Sequence, residues 1–431
     1  MESLGITLFV VFFVYLVLGM PLAICLGLSV ITTFWYHDAL PLMAVAQKLY
    51  NGLDHFALMA IPFFILASNI MSSGGVSKRL IDVCNAFVGH YKGGLAVASI
   101  VSCMFFAAIS GSSPSTVVAI GTIMIPAMIA SGYGDRYTVG LLGSAGSLGI
   151  LIPPSIPMIV YGVATEQSVG KLFMAGVVPG IFMGTLFIVT AIIYARVKGF
   201  KGGTVVPWKD RFVLLWKALP GLFMPFLILG GIYGGIFTPT EAAAVAVFFA
   251  LFVGLFVYKD LKIRDIPKVF VRSAVMSAMI LFIITNAMLF AFILTTEGIP
   301  SAIAAFIIEH AVTPWVFLLF VNILLYFVGD FMEPSAAILI LAPLFLPIVL
   351  KLNIDPIHFG IIMTVNMEIG MITPPVGLNL FVASGISGLS LWDVFKGAAP
   401  FMIVMLIALL ILTYIPAISL WFPKILYGVL F

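Results

Sequence analysis

Two short clusters of hydroxyl and carboxylate side chains interrupt long apolar runs. Ile109-Ser110-Gly111-Ser112-Ser113-Pro114-Ser115-Thr116 brings the hydroxyls of Ser110, Ser112, Ser113, Ser115 and Thr116 together. Gly329-Asp330-Phe331-Met332-Glu333-Pro334-Ser335 brings together two carboxylates and a hydroxyl. Each cluster is followed by a second interruption with a double proline. These are Gly149-Ile150-Leu151-Ile152-Pro153-Pro154-Ser155 and Gly370-Met371-Ile372-Thr373-Pro374-Pro375-Val376. The separation is 39 residues in one copy (Pro114 to Pro153) and 40 in the other (Pro334 to Pro374). A helix that stops leaves N–H or C=O groups unpaired. In hydrocarbon such a break must be buried in protein or line a wet cavity. Helix ends then offer partial positive charge to anions and open carbonyls to cations. Thr373, with its hydroxyl beside freed carbonyls, could hold Na⁺. Hard oxygen donors of this kind do not suit a transition metal.

Each feature also has an ordinary structural explanation. A single proline in an apolar helix is usually a kink, and serines at a tip can serve helix packing. Matched breaks in two parts of one chain weigh towards a binding site. Ionisable groups in an apolar region are functional by default, which favours Asp330 and, less strongly, Glu333. Glu368, two residues before a break, fits a supporting role without ligand contact. Glu241 reads as a first-turn helix acid. His37, His55, His90, His310 and His358 fall mostly near the ends of apolar runs and suit interfacial or structural roles.

The elements that must hold these clusters follow from composition. Hydrophobic residues make up 63% of the 431 and charged residues 9%. A soluble domain carries roughly 25% charge, so the chain is a polytopic all-α membrane protein. Its apolar runs are about the 20 residues needed to cross a bilayer. Alternation of the β-barrel kind is missing. Cys25, Cys84 and Cys103 have neither zinc nor disulfide-framework spacing and read as small buried hydrophobes. Neither a nucleophile–base pair nor a metal cluster is evident, which argues against an enzyme, and nothing suggests a nucleic-acid partner.

In chain order, the spans are 4–31 and 55–73, with an interfacial helix in 38–54 and an amphipathic connector in 76–92. A helical hairpin (94–131), a broken span (137–165) and a closing span (172–195) follow. The run Arg196, Lys198, Lys201, Lys209, Arg211, Lys217 is the strongest cytoplasmic signal. Spans 218–237 and 240–258 lead to a second basic segment, 259–272. Then come span 273–296, a connector at 300–312, hairpin 314–350, broken span 356–388 and last span 399–427. Two sets of five joined by one unmatched span, 218–237, imply two inverted repeats. Pro154 with Pro375, Gly176 with Gly397, and Pro179 with Pro400 match at one spacing of 221. Parity puts the N-terminus and the mouth of the first hairpin inside, and the second mouth and the C-terminus outside. The expected division is scaffold spans in 1–75, connector and transport elements in 76–195, cytoplasmic loop and further scaffold in 196–272, and the second repeat in 273–431.

The chain resembles the large membrane (M) subunit of tripartite ATP-independent periplasmic (TRAP) transporters, the DctM-like family. The resemblance is carried by Ser110 to Ser115, Ile152-Pro153-Pro154-Ser155, Gly231 to Ala242 and Ile372 to Asn379, and spans nearly the whole chain. It implies a bacterial inner-membrane protein with re-entrant hairpins, broken helices and an elevator motion. It implies Na⁺-coupled uptake of an organic acid delivered by a soluble periplasmic binding protein (P type). A small four-helix membrane subunit (Q type) is implied as partner. Within the family the chain looks closest to the sialic-acid branch; a C4-dicarboxylate or sugar acid is the other substrate expectation. Matched residue by residue, Ser110, Ser112, Ser155 and Asp330 are expected at substrate. Gly329, Gly370, Thr373 and Val376 are expected at one Na⁺, and Ser110, Ser115, Gly149 and Ile152 at a second. Ile152 stands where the other repeat has Thr373, so the second site lacks that hydroxyl. Neither broken element supplies an arginine for a substrate carboxylate. The alternative function is a solo Na⁺- or H⁺-coupled dicarboxylate carrier.

Overall fold

The computed structural model describes residues 2–37, 42–310 and 313–428. Every element in these residues is helical. The first group is α1 (Glu2–Val17), α2 (Leu22–His37), α3 (Leu42–Asn51), α4 (Ala60–Ser73) and α5 (Val76–Val88). The first hairpin is α6 (Gly94–Ser110) and α7 (Ser113–Ala130). The first broken span is α8 (Asp135–Ser147) and α9 (Ile156–Thr165), followed by α10 (Val169–Lys198). The middle of the chain is α11 (Trp208–Tyr233), α12 (Pro239–Phe252), α13 (Ile266–Thr296) and α14 (Ile299–Glu309). The second hairpin is α15 (Pro314–Phe331) and α16 (Pro334–Lys351), and the second broken span α17 (Pro356–Gly370) and α18 (Leu378–Ser387). The chain closes with α19 (Leu391–Tyr414) and α20 (Pro416–Tyr427). Among the described residues nine helical stretches are long and apolar enough to cross a membrane.

Two expected spans are not single helices. The run 4–31 is divided into α1 and α2, which pack against each other. Gly19 takes φ 78°, and the Met20 N–H bonds the Tyr15 carbonyl while Gly19 N–H bonds Leu16, a Schellman-type stop. Pro21, with no N–H to donate, then opens α2. The run 399–427 is likewise divided. Its helix begins at Leu391 and ends at Tyr414, because Pro416 drives Ile415 out of the helical region (φ −122°, ψ 78°). The interfacial helix expected in 38–54 is α3, and residues 38–41 lie outside the described set. The connector in 76–92 is α5, which buries Val76, Leu80, Ile81, Val83 and Cys84 along one side.

Element starts recur at a near-constant offset. α6 and α15 begin at 94 and 314, α7 and α16 at 113 and 334, and α8 and α17 at 135 and 356. α9 and α18 begin at 156 and 378, and α10 and α19 at 169 and 391. Packing runs crosswise between these sets. α12 lies along α4 and α2 along α13, while α9 meets α16 and α18 meets α7.

Glycines set the closest crossings. At Gly397, where α19 crosses α8, a Cβ would collide with the Arg136 carbonyl. At Gly176 it would lie 2.6 Å from the Leu151 carbonyl of the first broken span. Backbone oxygens cannot rotate away, so these crossings require a missing side chain. Arg136 and Asp393 pair at 2.8 Å near the α8–α19 crossing. Gly397→Ala is expected to destabilise the protein by about 1–3 kcal/mol, as overpacking does. A lower unfolding temperature of the purified protein in detergent checks this. Gly230→Ala, with no atom within 4 Å of the new methyl, should leave it unchanged or higher.

Candidate functional site

Each hairpin tip is bonded to the broken span of its own half just beyond the double proline. The Ile156 N–H donates to the Gly111 carbonyl at 3.1 Å, and the Val376 N–H donates to the Asp330 carbonyl at 3.2 Å. Gly111 makes the first tip possible with φ 63° and the Pro154 carbonyl pressed close against it. On the other side of each break a glycine lets the tip approach. A Cβ at Gly149 would lie 2.6 Å from the Ser112 carbonyl and 2.7 Å from Thr116 Oγ1. A Cβ at Gly370 would overlap the Gly329 backbone. Pro153-Pro154 and Pro374-Pro375 are both cis.

In the first half, Ser110 and Gly149 come together around a buried cluster of oxygens. Ser110 Oγ lies 2.8 Å from Thr116 Oγ1 and 3.2 Å from the Ser112 carbonyl, to which Thr116 also donates at 2.9 Å. Thr116 is therefore part of the group; it is fully buried and was counted among the tip hydroxyls but not among the expected ligands. Its six-residue spacing from Ser110 across a proline-marked turn was the available signal. Ser115 does not join the cluster. It lines a separate cavity of about 390 Å³ with Asn69, Ser72, Asp260 and Arg272. The Ile152 side chain packs towards Gly180 on α10. Ser155 is occupied locally: its hydroxyl donates to the Ile150 carbonyl at 2.5 Å and caps α9 by accepting from Met158 N–H. Ser112 begins α7 without a side-chain cap bond.

In the second half, Gly370 presses on Gly329 and Val376 bonds Asp330 at the tip, with Thr373 between them along the break. Thr373 Oγ1 donates to the Ile369 carbonyl at 2.9 Å, leaving its lone pairs to accept or coordinate. The Gly370 carbonyl is not wholly freed by the prolines, because Thr373 N–H reaches it at 3.2 Å. A carbonyl has a second lone pair, so one direction stays open. Asp330 is buried, and its Oδ1 has no hydrogen-bond partner among the described residues. An unpaired carboxylate oxygen in a dry setting calls for a donor or a cation. Glu333 turns inward on its own tip, accepting from Ser335 Oγ at 2.9 Å and Ala336 N–H at 3.1 Å as the cap of α16.

The halves are joined by buried polar side chains. Asn379 Nδ2 donates to Ser113 Oγ at 2.6 Å and to the Gly143 carbonyl at 3.1 Å, linking the second broken span to the first tip. Ser147 Oγ donates to Glu368 Oε1 at 2.8 Å. His358 is held by the Thr413 carbonyl and Ser419 far from both tips, in keeping with a structural role. Arrangements of this kind can bind a small hard cation and an anion. Among the described residues no cluster of His, Cys, Asp and Glu could hold a heavier metal.

Residues 9–418 match the family model described as "Tripartite ATP-independent periplasmic transporter, DctM component". The chain is 53% identical over 399 residues to the C4-dicarboxylate TRAP transporter large permease protein DctM of Pseudomonas aeruginosa, covering 93% of each. It is 45% identical to the isethionate TRAP transporter permease protein DctMQ of Oleidesulfovibrio alaskensis, covering 96% of this chain and 66% of that protein. Among solved structures, the YdaH transporter of Alcanivorax borkumensis superimposes with TM-score 0.60 at 17% identity, covering 87% of this chain and 89% of that one, a likeness of fold. Family membership makes the protein a permease rather than an enzyme. The chain belongs to the DctM family, the large membrane component of tripartite ATP-independent periplasmic transporters, and is a multi-pass protein of the inner membrane.

Proposed function

We propose that the chain carries a small organic anion inward, driven by Na⁺, by moving its hairpins and broken spans as one body past a scaffold. One observation carries this proposal. Each half presents a buried cluster of oxygen ligands where a hairpin tip meets a helix break, and Asp330 Oδ1 in one of them lacks any partner. The substrate class favoured is C4-dicarboxylate rather than sialic acid, since the relatives described above are named for C4-dicarboxylate and isethionate. Both are small anions. The small membrane subunit and the periplasmic binding protein are the partners that family membership implies. In the Oleidesulfovibrio relative, the DctMQ name and extra length fit a fused small subunit.

The recurring offset of helix starts supports two repeats, and an odd number of crossings within each repeat supports inversion. With α1 and α2 as two short passes, α1 pairs with α11 and α2 with α12, so no span is left unmatched. The N-terminus then moves to the outer side, against the parity expected when 4–31 was one span. Each of α1 and α2 has 16 residues, roughly 24 Å against a core of about 30 Å. The two halves also differ in a way that fits an inward-opened state. α16 of the second hairpin packs on α13, whereas α7 of the first leaves the cavity between itself, α4 and α13.

We assign Asp330, expected at substrate, instead to the Na⁺ site proposed for Gly329, Gly370, Thr373 and Val376. Its unpaired oxygen is negative, which suits the cation better than an anionic substrate. Ser110, Ser112 and Ser155 remain the candidates for substrate. Ser155 would have to release the Ile150 carbonyl to serve. The second cation is assigned to Ser110, Gly149 and Thr116, with Ser115 and Ile152 contributing main-chain oxygens only.

Reconstitution with both partners, followed by solute uptake under imposed Na⁺ or H⁺ gradients, tests the function. Uptake should need Na⁺, a C4-dicarboxylate and both partners. Full uptake by the chain alone would favour a solo carrier. Thr373→Val should weaken apparent Na⁺ affinity by about 1–3 kcal/mol, the cost of an unmade buried polar interaction, while Thr373→Ser keeps most function. Unchanged Na⁺ dependence in Thr373→Val would make the residue a packing position. For topology, single cysteines at Ser73 and Gly203 should label from the cytoplasm and at Thr238 from outside. A fourth expected position, Phe431, lies outside the described residues. Labelling of Gly203 and Thr238 from one side would end the inverted arrangement.

A further inference from the structure

Ser147 and Glu368 are 221 residues apart, the same spacing that relates Pro154 to Pro375 and Gly176 to Gly397. They are thus equivalent positions of the two halves, and they touch: Ser147 Oγ to Glu368 Oε1 is 2.8 Å. Two equivalent positions can meet only on the axis that relates the halves. Two serines there would be too short to reach, and two glutamates would repel. A donor facing an acceptor is the arrangement that closes the gap. Both residues are fully buried. The serine hydrogen is shared with the Ser144 carbonyl at 2.6 Å, and Glu368 Oε2 has no partner.

Each residue lies two positions before the glycine at its break, Gly149 on one side and Gly370 on the other. Those glycines are the points where the hairpin tips press on the broken spans. A shift of one break relative to the other stretches the Ser147–Glu368 bond. In a dry interior that would leave Glu368 Oε1 without a donor, while the Ser147 hydroxyl falls back on the Ser144 carbonyl. The bond therefore penalises movement of one break without the other.

We propose that the Ser147–Glu368 hydrogen bond couples the two cation sites, so that filling one organises the other. Glu368 is a positioning residue here and touches neither cation. The inference rests on the Na⁺ reading of the two sites. Coupling between sites is typically a factor of about 5 to 150 in affinity.

The test uses the full chain purified in detergent and, separately, reconstituted with its partners. Unfolding temperature is followed against Na⁺ concentration, with K⁺ or choline holding ionic strength constant, and uptake is followed against Na⁺. In the unsubstituted protein both curves should rise with a slope above one site. Ser147→Ala and Glu368→Ala should lower the slope towards that of independent sites and raise the Na⁺ midpoint about 5-fold or more. Glu368→Gln, whose amide can still meet Ser147, should restore most of the slope and midpoint. If Ser147→Ala leaves both unchanged while Na⁺ still acts, the coupling is wrong though the Na⁺ reading stands. If Glu368→Gln is as impaired as Glu368→Ala, its charge and not the bond is what matters, and the proposal fails. If the unsubstituted protein responds to Na⁺ no more than to K⁺ or choline, the Na⁺ reading itself is wrong and the coupling falls with it.

Discussion

Backbone groups that hydrocarbon cannot satisfy dictate the design of this protein. Two helices are broken at double prolines and two hairpins turn inside apolar stretches, so N–H and C=O groups at these points lose their helical partners. The structure settles part of that debt locally. Gly111 and Asp330 carbonyls take the N–H groups of Ile156 and Val376, and Thr373 N–H returns to Gly370. Hydroxyls at Ser110 and Thr116 and the unpaired carboxylate oxygen of Asp330 gather where the backbone is compressed at Gly149 and Gly370. The same constraint thus supplies both the stability problem and the polar groups gathered at the tips.

Close backbone approach is the second condition. Gly149 and Gly370 admit the tips, and Gly176 and Gly397 admit α10 and α19. Around them the side chains are almost all apolar and buried, including Phe106, Phe173, Phe187 and Tyr161. Polar links such as Asn379–Ser113 and Asn366–Asn322 (2.9 Å) are few and buried, so each fixes a register between helices. The outer elements are held less tightly. α11 buries 22% of its most apolar stretch. That leaves Phe223, Phe226 and Trp216 facing outwards, as a lipid- or subunit-facing helix would.

Much of this was legible in the chain itself. Both hairpins, both broken spans and the offset between halves follow from proline, glycine and serine interrupting apolar runs. The division at Gly19-Met20-Pro21 is hidden, because the run on either side is uninterrupted in hydropathy and a turn of three residues does not alter it. The helix end at Tyr414 is hidden for the same reason. At the site, residue types pointed to the right segments, but side-chain direction did not follow from them. Ser115 and Thr116 are neighbours, yet one lines a cavity towards α4 and α13 and the other completes the first oxygen cluster. The Ser147–Glu368 contact needs the repeat spacing and the packing together.

The central claim is that the hairpins and broken spans move as one body. Distances between paired spin labels test it most directly, in the reconstituted complex with and without Na⁺ and C4-dicarboxylate. One pair, Ser131 at the end of the first hairpin and Ser387 at the end of the second broken span, would lie within the moving body; another, Ser131 and Lys262, would join it to the scaffold. Ligands should redistribute the Ser131–Lys262 distance while Ser131–Ser387 stays fixed. A Ser131–Lys262 distance that never changes during transport, or an equal change in both pairs, would contradict it.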